Sequence, residues 1–116
     1  MSKFFEDYEF ECPCCKQANI SPLFVNCLDA ARLRAGVPFK ITSGYRCPNH
    51  NRAVGGSPTS SHMLGIAVDI AAGASGIKFL IVKALIESGF TRIGIGKDFV
   101  HVDMDGMKPS NVMWTY

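Results

Sequence analysis

A chain of 116 residues is long enough for one domain with its own core and does not need disulfide staples. Hydrophobic residues make up 47% and charged residues 19%, an ordinary balance for a soluble globular domain. The net charge of +2 comes without a dense Lys/Arg run, so neither nucleic acid nor an anionic membrane is an expected partner.

The segment Met1-Ser2-Lys3-Phe4-Phe5-Glu6-Asp7 has no apolar h-region, and no secretory signal is expected from it. Residues 4–10 mix aromatic and acidic side chains and read as an N-terminal arm. Cys12-Pro13-Cys14-Cys15 follows. Five cysteines without a signal favour reduced thiols over a disulfide framework. Three close thiols suggest a metal knuckle, but a closed zinc site needs four ligands. The segment is therefore read as a tight loop with buried thiols. A second metal on Cys12, Cys14, Cys15 and Cys47 is the alternative, and Cys27 reads as a small apolar residue on a helix.

Ser21-Pro22 has the form of an N-cap with proline at the first helical position. Phe24, Leu28, Ala31 and Ala35 then share a face and Gly36 stops the helix, which predicts a helix over 22–35. A short strand over 39–43 leads into Ser43-Gly44-Tyr45-Arg46. Residues 48–59 read as a long loop with a helical turn at 49–52, in which His50 is a polar loop residue. Residues 66–71 read as a buried strand. Ser75 is placed as the cap of a helix over 76–88 whose apolar stripe is Ile77, Leu80, Ile81, Ala84 and Leu85. That stretch, broken by Lys78 and Lys83, is too short to span a bilayer. Strands over 91–96 and 99–104 form a hairpin, and Trp114 and Tyr116 belong to a short tail packing back onto the domain. The expected fold is α+β, a small, largely antiparallel sheet with flanking helices.

The chemistry concentrates in Ser60-Ser61-His62-Met63-Leu64-Gly65-Ile66-Ala67-Val68-Asp69. An ionised Asp69 inside an apolar strand costs several kcal/mol unless it is paired or bound to metal. Imidazole and carboxylate both ligate Zn²⁺, and a catalytic zinc commonly takes three protein ligands. His101, in the strand-like run Phe99-Val100-His101-Val102-Asp103, supplies the third. The candidate metal ligands are His62, Asp69 and His101. Asp103 shares a strand face with His101 and is placed to orient it.

Ser60-x-His62-x-x-Gly65-x-Ala67-x-Asp69, the distant His101-x-Asp103, Ser43-Gly44-Tyr45-Arg46 and Asp98-x-x-His101 together resemble the zinc D-alanyl-D-alanine carboxypeptidase family, the M15-like peptidases. That family includes cell-wall carboxypeptidases, vancomycin-resistance dipeptidases and phage endolysins, and the hedgehog amino-terminal domain shares its zinc-site pattern. The resemblance implies one zinc peptidase-like domain over 1–116 that hydrolyses a peptide bond in peptidoglycan stem peptides. It implies Asp98 as general base, where some relatives use glutamate, and Arg46 as the clamp on a carbonyl or carboxylate. Ser60 hydrogen-bonds either a ligand or its own turn. The resemblance further implies a protein made in the cytoplasm that acts on the cell wall, released by phage lysis or carried in a virion, and no oligomer is expected. A non-catalytic, zinc-stabilised binding module is the alternative, against which the presence of Asp98 and Arg46 argues. A cysteine-knuckle nucleic-acid binder lacks a full ligand set and a basic surface.

Overall fold

In a strand, successive side chains point to opposite faces, and the two central strands use this to separate core from chemistry. In β2 (Ala67–Ala71) and β4 (Phe99–Asp103), Val68, Ile70, Val100 and Val102 are fully buried against the helices. Asp69, His101 and Asp103 take the opposite face. These observations come from a computed structural model that describes residues 2–116.

The remaining strands are β1 (Ile41–Ser43), β3 (Arg92–Ile95) and β5 (Val112–Thr115), and the sheet order is β1-β2-β4-β3-β5. β1/β2, β2/β4 and β3/β4 pair antiparallel, and β3/β5 pairs parallel. The fold is α+β with a largely antiparallel sheet, as expected. The sequence reading had no strand in the tail. Val112–Thr115 is short, and it is stabilised as a strand by pairing with β3 rather than by its own pattern.

Helix α1 (Pro22–Ala35) has the predicted bounds. The Ser21 hydroxyl accepts from the Phe24 N–H at 3.3 Å, and Gly36 closes the helix at φ 70°. Phe24, Val25, Leu28, Ala31 and Ala35 are buried, and the Phe24 ring meets Phe90 edge-on at 5.8 Å. Helix α3 (Ser75–Glu87) begins one residue earlier than expected. Ala74, in extended conformation, occupies the cap position and its carbonyl accepts from the Lys78 N–H, so Ser75 lies inside the first turn and does not cap. The buried face of α3 is also narrower than the apolar stripe. Ile81, Ala84 and Leu85 are buried, but Ile77 and Leu80 are 37% and 39% exposed, so burial begins only past the first turns.

The expected 48–59 loop starts as a helix, α2 (Pro48–Ala53), with Cys47 as its N-cap. A 3-10 turn at Asp7–Phe10 drives Phe10 into the core, where its ring lies 5.5 Å from Phe5. A second 3-10 turn, Ser61–Leu64, carries His62 and ends at Gly65. No helix among the described residues is long and apolar enough to cross a membrane.

Gly65 combines two constraints. Its φ of 72° lies in the left-handed region, and a Cβ there would run into the carbonyl of Asn19. The Gly65 carbonyl also accepts from the Ser21 N–H at 2.8 Å, joining this turn to the start of α1. Gly65→Ala should therefore destabilise the chain by at least about 2 kcal/mol, from strain and overlap together. Urea denaturation of the variant checks this, and an unchanged midpoint would contradict it.

Candidate functional site

The strand register places the site. Asp69 on β2 is the direct partner of His101 on β4, His101 is the partner of Gly94 on β3, and Gly94 is the partner of Trp114 on β5. These four positions form one row across the sheet on the face away from the helices. His62 comes to the row from the 3-10 turn before β2. Its Nδ1 lies 2.8 Å from the Gly44 carbonyl. A carbonyl can only accept, so Nδ1 carries a proton and Nε2 faces the site.

His62 Nε2 lies 3.4 Å and His101 Nδ1 3.0 Å from the same oxygen, Asp69 Oδ1. The donor atoms of His62, Asp69 and His101 all fall within 4.8 Å of one another, an arrangement that could hold a metal ion. On its far side His101 Nε2 meets Asp103 Oδ2 at 2.7 Å. Asp103 is itself fixed by the Arg92 Nε–H at 2.7 Å and the Asp105 N–H at 3.1 Å. The ring orientation of His101 is thus set by a carboxylate that is held in turn, the arrangement usual behind a ligating histidine.

A family model for peptidase M15 matches residues 6–103. The chain belongs to the peptidase M15 family. Comparison with curated proteins gave no match. Among solved structures, the crystal structure of Serratia marcescens L-Ala D-Glu endopeptidase ChiX is similar in fold, with a TM-score of 0.52 and 24% identity. That similarity covers 75% of this chain and 81% of that one.

In this M15 chain Arg46 reaches the row from the loop after β1. Its Nη2 lies 3.7 Å from Asp69 Oδ2, its Nε donates to the Ser43 hydroxyl at 3.2 Å, and its Nη1 donates to Asn51 Oδ1 at 3.2 Å. Asn51 is buried and donates to the Ser57 carbonyl at 2.8 Å. Ser60 lines the cleft, and its hydroxyl accepts from the His62 N–H at 3.2 Å, so its bond is to the turn that presents His62. Asp98 stands apart from the others. It is exposed in the β3–β4 turn, its carbonyl accepts from the Ala72 N–H, and it is not among the residues lining the cleft. The adjacent Phe99 does line it.

The sequence reading left several cleft residues without a role. Trp114 and Tyr116, read only as tail packing, form the cleft wall with Phe99. Trp114 reaches across because its row neighbour Gly94 has no side chain, and a Cβ there would sit 2.7 Å from the indole Nε1. The Trp114 ring lies 5.6 Å from His101, with the Arg92 guanidinium 5.0 Å from the indole. Lys108 also lines the cleft, donating to Ser61 Oγ at 2.9 Å and to the Thr59 carbonyl at 2.8 Å. The signal that could have found the aromatic pair was Trp114-x-Tyr116, two large rings at same-face strand spacing.

Two titrations follow from this geometry. Burial opposes ionisation of Asp69, but hydrogen bonds from His101 and His62 outweigh it and hold the carboxyl far below the ordinary range. Burial likewise opposes charging of His101, but the carboxylates of Asp103 and Asp69 flanking its two nitrogens raise its pKa above the usual 6.5. The depressed Asp69 contributes stability that is complete above 3.8 and is lost as pH falls through its folded value. The raised His101 contributes stability that is complete below 6.5 and is lost as pH rises through its folded value. Metal-free protein should thus be most stable between about 3.8 and 6.5. An added divalent ion, which needs the unprotonated Nδ1, should restore stability on the alkaline side. Urea denaturation at pH 5 and pH 8, with chelator and with zinc, measures both effects.

Proposed function

We propose that this chain is a zinc-dependent peptidase that cleaves a peptide bond in peptidoglycan stem peptides. The observation that carries the reading is the convergence of His62 Nε2, His101 Nδ1 and Asp69 Oδ1, with the Arg46 guanidinium beside them. Two ligands about 2.05 Å from one tetrahedral ion lie about 3.3 Å apart, close to the 3.0 and 3.4 Å separations here. Two imidazoles and a carboxylate are a donor set suited to zinc. Zinc held there would supply Lewis acidity and bring the pKa of a water towards neutrality.

The chain's own groups account for the rest. Arg46 is preset by Ser43 and Asn51 to face the row, where a planar guanidinium grips a peptide carbonyl oxygen as negative charge develops on it. Asp69 and Asp103 are engaged at the histidines, and Asp105 is held by the Ser61 hydroxyl at 2.7 Å and the Met107 N–H at 3.0 Å. Asp98 is the carboxylate left for proton transfer, since its side chain has no hydrogen bond or ion pair among the described residues. In this reading it turns from the hairpin into the cleft when substrate binds, takes the proton of the attacking water and returns it to the leaving amine. Such contacts commonly tighten only in the substrate complex. The wall of Phe99, Trp114 and Tyr116 suits methyl groups of alanyl residues. Arg46, Arg92 and Lys108 give the cleft a cationic side that matches stem-peptide carboxylates. The structural neighbour's own name, an L-Ala D-Glu endopeptidase, supports the same substrate class.

The test is digestion of purified peptidoglycan, with fragments identified by mass and zinc content measured in parallel. Asp98→Asn should keep its zinc and fold while fragment release falls by at least about a hundredfold. Unchanged release would remove Asp98 from the chemistry. Arg46→Lys should also lower the rate, because an ammonium lacks the planar fork. Wild-type protein that sediments with several wall types but releases no fragment would replace this reading with a binding module.

A further inference from the structure

A second cluster of ligating atoms lies outside the cleft. The sulfurs of Cys12, Cys15 and Cys47 lie within 4.8 Å of one another, and those of Cys12 and Cys47 are 3.6 Å apart. All five cysteines are free thiols. A disulfide needs its sulfurs at about 2.05 Å, whereas two thiolates on one tetrahedral zinc, each at about 2.3 Å, stand about 3.8 Å apart. The 3.6 Å contact, an S–H···S hydrogen bond between free thiols, is too long for a disulfide and has the spacing that a shared ion would use.

The backbone around the sulfurs holds them together. Residues 12–17 form a tight turn in which the Lys16 N–H donates to the Cys12 carbonyl at 2.8 Å and the Cys12 N–H to the Gln17 carbonyl at 2.8 Å. Lys16 follows Cys15 in the left-handed region, at φ 62°, and this turn brings Cys15 back beside Cys12. Amide N–H groups point at the sulfurs: Cys47 N–H at Cys12 Sγ and His50 N–H at Cys47 Sγ, each at 3.4 Å. Such donors stabilise thiolates. The two segments also have matching form, Cys12-Pro13-Cys14-Cys15 and Cys47-Pro48-Asn49-His50, each offering ligand types at positions one and four.

We propose that Cys12, Cys15 and Cys47 bind a structural Zn²⁺, with Cys14 or His50 completing the tetrahedron. Soft thiolates select zinc over the hard divalent ions. Cys12 is fully buried, while Cys14 and Cys15 are exposed, so the site is anchored inside and open to ion entry from solvent. The ion would tie the turn at 12–15 to Cys47, the residue next to Arg46, and so tether the loop that carries the guanidinium. The site is independent of the His62, Asp69, His101 cluster.

The experiment is elemental analysis of the full chain, purified under reducing conditions and equilibrated with zinc, for wild type, Cys15→Ser, Cys47→Ser, Cys27→Ser and His62→Ala. Cobalt(II)-loaded samples are read for sulfur-to-cobalt charge transfer. About two zinc ions per wild-type chain are expected. Cys15→Ser, exposed and tolerant to change, and Cys47→Ser should each lose one ion and the charge-transfer band. Cys27→Ser should keep both. His62→Ala should lose the other ion and keep the band. Cys14→Ser and His50→Ala then identify the fourth ligand by which of them weakens retention against a chelator. A single zinc that His62→Ala removes, with no charge-transfer band, would overturn this site and leave the peptidase reading standing. A single zinc that Cys15→Ser removes would do the reverse. A Cys12–Cys47 disulfide in protein kept reduced, found by mass, would also overturn it.

Discussion

The structure depends above all on the register between β2 and β4. Asp69 opposite His101 is the pairing that brings two groups able to hold a metal together, and it is the same pairing that sends Val68, Ile70, Val100 and Val102 into the core. A slip of one residue would bury the carboxylate and imidazole under the helices and turn the branched side chains into the cleft. Core burial therefore enforces the geometry of the site. The penalty for misplacing a charge and the loss of apolar burial act in the same direction, so no separate device is needed to align the two strands.

Around that row, each charged group is fixed by a neighbour with a backing contact of its own. Arg92 holds Asp103, Asp103 holds His101, and His101 meets Asp69, which also faces His62 and Arg46. His62 is held from behind by the Gly44 carbonyl. Gly44 packs so closely on the Phe10 backbone that a Cβ would approach the Phe10 Cα to 2.7 Å. The N-terminal turn is thereby a support for an imidazole far from it in sequence. A Ser21–Gly65 bond ties the following turn to the first helix in the same way.

The sequence made the helix α1 legible to its ends because Ser21, Pro22 and Gly36 are explicit start and stop residues. The central strands and the His62, Asp69, His101 grouping were legible because an acid inside an apolar strand requires a partner and few histidines exist to provide one. Ser75 misled because a serine at the start of a helix can serve as cap or as first residue, and the choice lies in the Ala74 backbone. Ile77 and Leu80 misled because periodicity reports an apolar face but not how much of it a neighbour covers. β5 was missed because its pairing is with a distant strand, and with it went the reason Trp114 reaches the cleft, which rests on the bare Cα of Gly94. The position of Asp98 belongs to a turn, where alternation gives no direction.

β5 is an edge strand, paired among the described residues with β3 alone, and Val112, Met113 and Tyr116 are exposed. The cleft is thus built from parts of unequal permanence. The candidate metal-holding groups Asp69 and His101 stand on the two central strands, whereas Trp114 and Tyr116, two of the three aromatic residues of the wall, stand on the edge strand or just after it. Width and lining can vary on that side while the charged row stays fixed. Substitutions on and just after the edge strand can reshape that side of the cleft without disturbing the groups on β2 and β4.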